Sequence, residues 1–185
     1  MGHDVPDDPH HPHADHRRAD PPTEHRAHAP AQVAAYAITC SDTRTEKTDQ
    51  GGALIAQALE RAGHTVVGQA RVADDGADLL RALDAAIDLG ARAVIVTGGT
   101  GLSRRDVSAD TLTPRFEKTL PGFGELFRML SFQEVGAAAM LSRAVAGTVR
   151  GALVFVVPGS PGAVKLALEE LILPELGHAV RELSR

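Results

Sequence analysis

Ala93–Asp106 reads AVIVTGGTGLSRRD. Val94, Ile95 and Val96 form an unbroken β-branched run closed by glycine, the pattern of a strand buried on both faces of a parallel sheet. Gly98, Gly99, Thr100 and Gly101 follow at once. Small residues at a strand's C-terminal end let the backbone approach a ligand and turn several N–H groups toward one point, which suits phosphate. Asp106 closes the loop as a candidate Mg²⁺ ligand or polar anchor. The loop is neither GxGxxG nor GxxxxGK[ST], so neither nucleotide fingerprint is met. Read alone, it also admits the reading of a tight turn whose glycines permit positive φ, with surface arginines after it.

Working outward, strand and helix patterns alternate from Ala31 onward. Val33–Thr39 reads as a first strand ending in Cys40-Ser41-Asp42-Thr43. A helix over Lys47–Ala62 follows, with Leu54, Ile55, Ala58, Leu59 and Ala62 on one face and Gly63 stopping it. Thr65–Val72 is a second strand, running into Asp74-Asp75-Gly76, and Leu79, Leu80, Leu83 and Ile87 mark a second helix closed by Gly90. After the glycine loop, Ser108–Lys118 reads as helical, Pro121-Gly122 breaks it, and Phe123–Glu134 resumes. Leu153–Val157 is the last strand, before Pro158-Gly159-Ser160-Pro161-Gly162 and a long C-terminal helix that Pro174 kinks or restarts. Repeated βα units with right-handed crossovers predict an α/β fold, a three-layer sandwich with a mainly parallel sheet.

The 185 residues suffice for one domain, 31–185, and a tail, 1–30. The tail carries seven of the nine histidines, six of the eleven prolines and almost nothing apolar. That composition predicts disorder. Its His10, His11, His13 and His16 are candidate transition-metal ligands, though no spacing enforces a closed coordination shell. With 43% hydrophobic but only 3% aromatic residues, the core is expected to consist of Ala, Val, Leu and Ile. The net charge of −5 and the shortage of stacking aromatics argue against nucleic acid. No apolar run reaches membrane-spanning length, no signal peptide is recognisable, and the single cysteine, Cys40, cannot pair within the chain; a cytoplasmic protein is expected.

In such sheets ligands bind beyond the carboxyl ends of the strands. Four of those ends carry unusual chemistry: Ser41-Asp42-Thr43, Asp74-Asp75, the glycine loop with Asp106, and Pro158-Gly159-Ser160. Acids beside a phosphate cradle suit magnesium-assisted phosphoryl or nucleotidyl transfer. Each element also has a structural reading. Asp74 could be a turn residue or the cap of the next helix, Asp42-Thr43 an Asx-type turn, and Pro158–Gly162 a rigid lead-in to the last helix.

TGGTGLSRRDVSADTL, LPGFGELFRMLSF, LSRAVAG and VPGSPGAV resemble, in order and spacing, the MogA/MoaB family of molybdenum cofactor biosynthesis proteins, to which the gephyrin G domain is related. The likeness runs from about Val33 to the C-terminus. It implies the molybdopterin-binding MoaB/Mog-like fold and an enzyme that binds molybdopterin and Mg-ATP. Such an enzyme transfers AMP to the pterin's terminal phosphate, releases pyrophosphate, and hands the product to a partner for molybdate insertion. By this resemblance Asp74 and Asp106 are the two catalytic acids and the Mg²⁺ ligands. Gly98, Gly99, Thr100 and Gly101 surround the nucleotide phosphates, Pro158 and Gly159 lie near the nucleotide, and Ser131, Ser142 and Arg143 fall in stretches on the molybdopterin side.

LPGFGELFRMLSF and SRAVAG resemble the MoaB branch, where some members lack adenylyltransferase activity; a non-catalytic molybdopterin carrier is therefore the alternative. Arg104-Arg105-Asp106-Val107 instead resembles the catalytic branch. Ser108-Ala109-Asp110 departs from the family's commoner Thr-Pro-Glu. Family members form homotrimers or homohexamers, and Gly136–Ala139 with the apolar residues of Phe127–Phe132 could supply the interface or ordinary core.

Overall fold

A computed structural model describes residues 32–45 and 48–185. The histidine-rich tail, its metal-capture histidines and Lys47 lie outside the described residues. Six strands form one sheet in the order β2-β1-β3-β6-β5-β4: β1 Ala34–Cys40, β2 Thr65–Val72, β3 Ala93–Thr97, β4 Lys118–Thr119, β5 Val145–Val149 and β6 Ala152–Val157. The pairs β2-β1, β1-β3 and β3-β6 are parallel, while β6-β5 and β5-β4 are antiparallel. The β-branched runs sit where a two-sided core requires them, since every residue of β3 and β6 is buried.

Helices cover both faces, which makes the three-layer α/β sandwich. Alternate residues of β1 divide between two cores. Ala35 and Ala37 pack with Ile55, Leu59, Phe127, Leu168 and Leu176, whereas Tyr36, Ile38 and Cys40 pack with Leu79, Leu83 and Leu112. The first core lies under α1 (Gln50–Arg61), α4 (Pro121–Val135), α5 (Pro161–Leu166) and α6 (Leu173–Leu183); the second lies under α2 (Gly76–Asp88) and α3 (Ser108–Leu112).

Local chemistry sets the ends of these helices. Asp49 caps α1 by accepting from the Gly52 N–H at 2.9 Å, so α1 starts at Gln50 rather than Lys47. Asp75 caps α2, accepting from the N–H groups of Ala77 and Asp78 at 2.9 and 3.0 Å. The cap of α2 is therefore Asp75, and the neighbouring Asp74 side chain is left for other work.

Three features differ from the sequence pattern. Helix α3 stops at Leu112 because Pro114 has no N–H to continue it; a 3₁₀ turn follows at Thr113–Arg115, and Lys118 belongs to an edge strand rather than to the helix. Pro121 begins α4 instead of breaking it, since its missing N–H falls in the first turn. Strand β5 has no counterpart among the expected elements. It joins β6 through Arg150-Gly151, both at positive φ (49° and 76°), as a tight hairpin demands. Gly147 in the middle of β5 looks like a breaker, but a Cβ there would collide with the Phe116 ring. Near the C-terminus the chain widens into a π-helical turn at Ala167–Ile172, just ahead of Pro174, which occupies the first turn of α6.

Candidate functional site

The carboxyl ends of β1, β2, β3 and β6 meet at one edge of the sheet. Beyond them open two adjoining cavities. The polar one, about 450 Å³, is lined by Thr39, Cys40, Ser41, Thr43, Arg44, Asp74, Thr97, Gly98–Gly101, Asp106, Pro158 and Gly159. The other, about 330 Å³ and richer in apolar groups, lies against α4 and the 3₁₀ segment Gly136–Leu141; Phe127, Ser131, Glu134, Val135, Leu141 and Ser142 are among its walls. Thr100, Gly101 and Pro158 line both, so the end of the glycine loop is the partition.

The loop's conformation depends on glycine. Gly98 and Gly99 have φ of +98° and +63°, and a Cβ on Gly98 would run into the Cys40 carbonyl. The loop is fastened beneath by Gly98 N–H donating to the Val157 carbonyl at 3.1 Å and by Thr97 Oγ1 donating to the Pro158 carbonyl at 3.2 Å. The turns after β3 and β6 are thus held together.

The two acids are set differently. Asp74 and Asp42 interlock: the Asp42 N–H donates to Asp74 Oδ2 at 3.2 Å and the Asp74 N–H to Asp42 Oδ1 at 2.9 Å. The Cys40 thiol donates to the Ala73 carbonyl and toward Asp74 Oδ1 at 3.4 and 3.5 Å. Burial, followed by the nearby Asp74 and Asp42 charges, pushes the Cys40 thiol up to about 11, and the Ser108 hydroxyl opposes this only in part. A thiol at that value is protonated near neutrality and is a donor, not a nucleophile. The turn after β1 is organised by Ser41, whose Oγ accepts from the N–H groups of Thr43 and Arg44 at 3.3 Å each. Asp42 is therefore not the organiser of an Asx-type turn.

Asp106 is gripped by its own loop. Hydrogen bonding from Ser103 is the largest influence, and the N–H of Gly101 and the charge of Arg143 add to it; together they hold the carboxyl below the ordinary carboxylate value. It is fully ionised at neutral pH. Both acids line the polar cavity, as do Gly98, Gly99, Thr100, Gly101, Pro158 and Gly159, whereas Ser131 and Ser142 line the apolar one. Among the described residues no three His, Cys, Asp or Glu side chains converge to form a metal cage.

Arg143 lines neither cavity. Its Nη2 donates to the Asp106 carbonyl at 2.6 Å, its Nη1 reaches both oxygens of Asp110 at 2.7 and 2.8 Å, and its Nε donates to the Thr100 carbonyl at 3.4 Å. The side chain clamps both ends of the loop to α3. That role also accounts for the carboxylate of Asp110.

Arg44, Asp42, Thr39 and Glu134 were given no site role of their own by the sequence pattern, which read Asp42 only as part of the polar end of β1 or of a turn there. The first three sit in or beside the polar cavity and Glu134 in the wall of the other. Their one advance signal is position, since Arg44 follows a strand end already rich in polar residues.

Comparison with known proteins bears on this geometry. The family described as "Probable molybdopterin binding domain" matches residues 36–178. A Bacillus subtilis protein named molybdenum cofactor biosynthesis protein B is 49% identical over 164 residues, covering 88% of this chain and 96% of its own. The crystal structure of the tungsten cofactor synthesizing protein MoaB from Pyrococcus furiosus superimposes with a TM-score of 0.78 at 41% identity, covering 85% of this chain and all (100%) of the other. A structure of MogA does so with a TM-score of 0.74 at 30% identity, covering 81% and 99%.

Proposed function

The chain belongs to the probable molybdopterin binding domain family and takes part in molybdenum cofactor biosynthesis, and we propose that it is a molybdopterin adenylyltransferase. The observation that carries this reading is the pair of cavities divided only by Thr100, Gly101 and Pro158. One is oxygen-rich, with two carboxylates and a glycine loop suited to a nucleotide's phosphates. The other has the apolar walls and small hydroxyl groups suited to a flat heterocycle. A pterin phosphate leaning over the partition meets the α-phosphorus of ATP. A pterin phosphate oxygen bonds to the α-phosphorus, and the bond from that phosphorus to the bridging oxygen breaks. Pyrophosphate leaves with the electron pair, and adenylylated molybdopterin remains for a molybdate-inserting partner enzyme. No covalent enzyme intermediate is needed.

Two polyanions must be brought together, so the site's task is to offset their repulsion. Asp74 and Asp106 would hold magnesium. The donor set fits that ion, which is bound through one or two carboxylates plus substrate phosphates and retained waters rather than in a protein cage. When bound, it supplies charge neutralisation at the phosphates. The chain itself contributes the backbone N–H groups of Gly98–Gly101, an ionised Asp106 aimed by Ser103, and an Asp74 held by the Asp42 N–H.

Incubation with molybdopterin and Mg-ATP, followed for adenylylated pterin and pyrophosphate, tests the proposal. Product formation is expected, and Asp106→Ala should abolish it while keeping pterin binding. Full activity in that variant would refute the assignment. The higher identity to a MoaB protein than to MogA favours a second reading, a non-catalytic molybdopterin carrier; this predicts pterin binding with no ATP consumed.

We also propose self-association as a trimer or hexamer. Phe127 and Ala139 are core residues, but Leu126, Met129, Phe132 and Val135 recur every third position on α4 and lie exposed, continuing into Met140 and Leu141. So many exposed apolar side chains gathered on one segment mark an interface.

A further inference from the structure

We propose that Arg44 is a phosphate-binding residue of the polar cavity and takes the charge that develops on the departing pyrophosphate. The inference rests on the adenylyltransferase reading and extends it to a residue that neither the glycine loop nor the acid pair includes. Among the described residues, Arg44 is the one cationic side chain lining that cavity. It stands among negative charge: Asp74 and Asp106 line the same space, and Asp42 interlocks with Asp74. An arginine there does not neutralise these acids, since no ion pair joins Arg44 to any of them. Its guanidinium instead donates from Nη2 to the carbonyl of Gly159 at 2.8 Å.

That bond spans from the turn after β1 to the turn after β6 and sets the guanidinium over the cavity. The Arg44 N–H is fixed in turn by Ser41 Oγ. A planar fork with one donor spent and the others unspent among the described residues is pre-organised for phosphate oxygens. The cavity wall also contains Thr39, whose buried hydroxyl has no hydrogen-bond partner among the described residues. The two carboxylates can offset the triphosphate only through a divalent ion. A cation fixed in the protein is the complement that acts on oxygens the metal does not hold.

The test compares wild type and Arg44→Ala by titration calorimetry with Mg-pyrophosphate, Mg-ATP and AMP, beside adenylyl-transfer kinetics. Loss of a charge-assisted contact should weaken pyrophosphate and ATP by about 10- to 100-fold and leave AMP nearly unchanged. Arg44→Lys should recover part of the loss. Arg44 is half-buried and its side chain donates to Gly159; should Arg44→Ala fail to fold, Arg44→Gln, which keeps a donor, is read in its place. Unchanged pyrophosphate and ATP affinity in a folded variant overturns the proposal. Equal loss for all three ligands overturns the assignment to the leaving group. Wild type that binds pyrophosphate through Arg44 but never ATP upholds the phosphate site and refutes the adenylyltransferase reading instead.

Discussion

Replacing Arg143 by Ala removes the clamp that joins both ends of the glycine loop to α3. The bond to the Asp106 carbonyl is short, at 2.6 Å, and charge-assisted, a class of contact that contributes about 1.5–3 kcal/mol. The ion pair with Asp110 is discounted because that carboxylate is 71% exposed, which leaves about 0–1 kcal/mol. The 3.4 Å contact with Thr100 adds little. A loss of about 2–3 kcal/mol in a domain of this size lowers Tm by roughly 4–12 °C, readable by calorimetry or differential scanning fluorimetry. Asp110→Asn should cost only the exposed pair. Arg143→Lys keeps that pair but cannot reach both carbonyls, so it should recover less than half of the loss. Because the clamp fixes the Asp106 loop, Mg-ATP affinity should fall along with stability. An Arg143→Ala protein with unchanged Tm and Mg-ATP binding but impaired pterin binding would refute this reasoning. It would place the guanidinium on the substrate, as the sequence resemblance implied.

Gly98→Ala should destabilise by about 2 kcal/mol or more, because a side chain at φ +98° adds backbone strain to a collision with the Cys40 carbonyl. Gly63→Ala, at φ +84° with open space around it, isolates the strain alone, and urea unfolding compares the two. Cys40 keeps its proton in the folded state between its ordinary 9.0 and about 11, while the unfolded chain loses it. Its contribution to stability is therefore present below pH 9.0 and lost as pH rises toward 11. Native-state alkylation by iodoacetamide, followed by mass spectrometry, should be negligible at pH 8; rapid modification there would contradict the burial argument. Phe132→Asp on the exposed stripe of α4 should shift the protein to smaller species in sedimentation experiments without changing monomer folding, since the side chain is 61% exposed.

The chain order of the parallel strands was legible because an all-apolar run such as Val94–Val96 can lie only inside a covered sheet, and because a glycine at its end leaves few alternatives to a turn. The acids at strand ends were legible for the same reason: topology carries every β-to-α turn to one edge. Sequence also identified which residue types gather there. Local pattern could not separate Asp74 from Asp75, adjacent and chemically identical; only the family resemblance chose Asp74. The difference lies in which carboxylate meets the free N–H groups of α2, and that is a matter of three-dimensional direction. Strand β5 stayed hidden because its glycine is explained by the Phe116 ring and the Lys118 carbonyl packed against it, and its hairpin uses Arg-Gly rather than a typical turn pair.

Arg143 shows the division most clearly. The sequence placed it among residues on the pterin side, and no local pattern could reveal that its guanidinium ends on Asp106 and Asp110, more than thirty positions earlier. Arg44 was passed over for the converse reason, since its significance is its position across the cavity from glycines and acids of three other strand ends. What the sequence determined by itself was the α/β architecture and the edge where chemistry gathers, because periodicity and turn residues are local signals, while its motifs carried the family likeness. The tertiary structure decided which side chains face a ligand and which are spent on holding the loops. That choice depends on hydrogen-bond partners brought together only when the sheet closes.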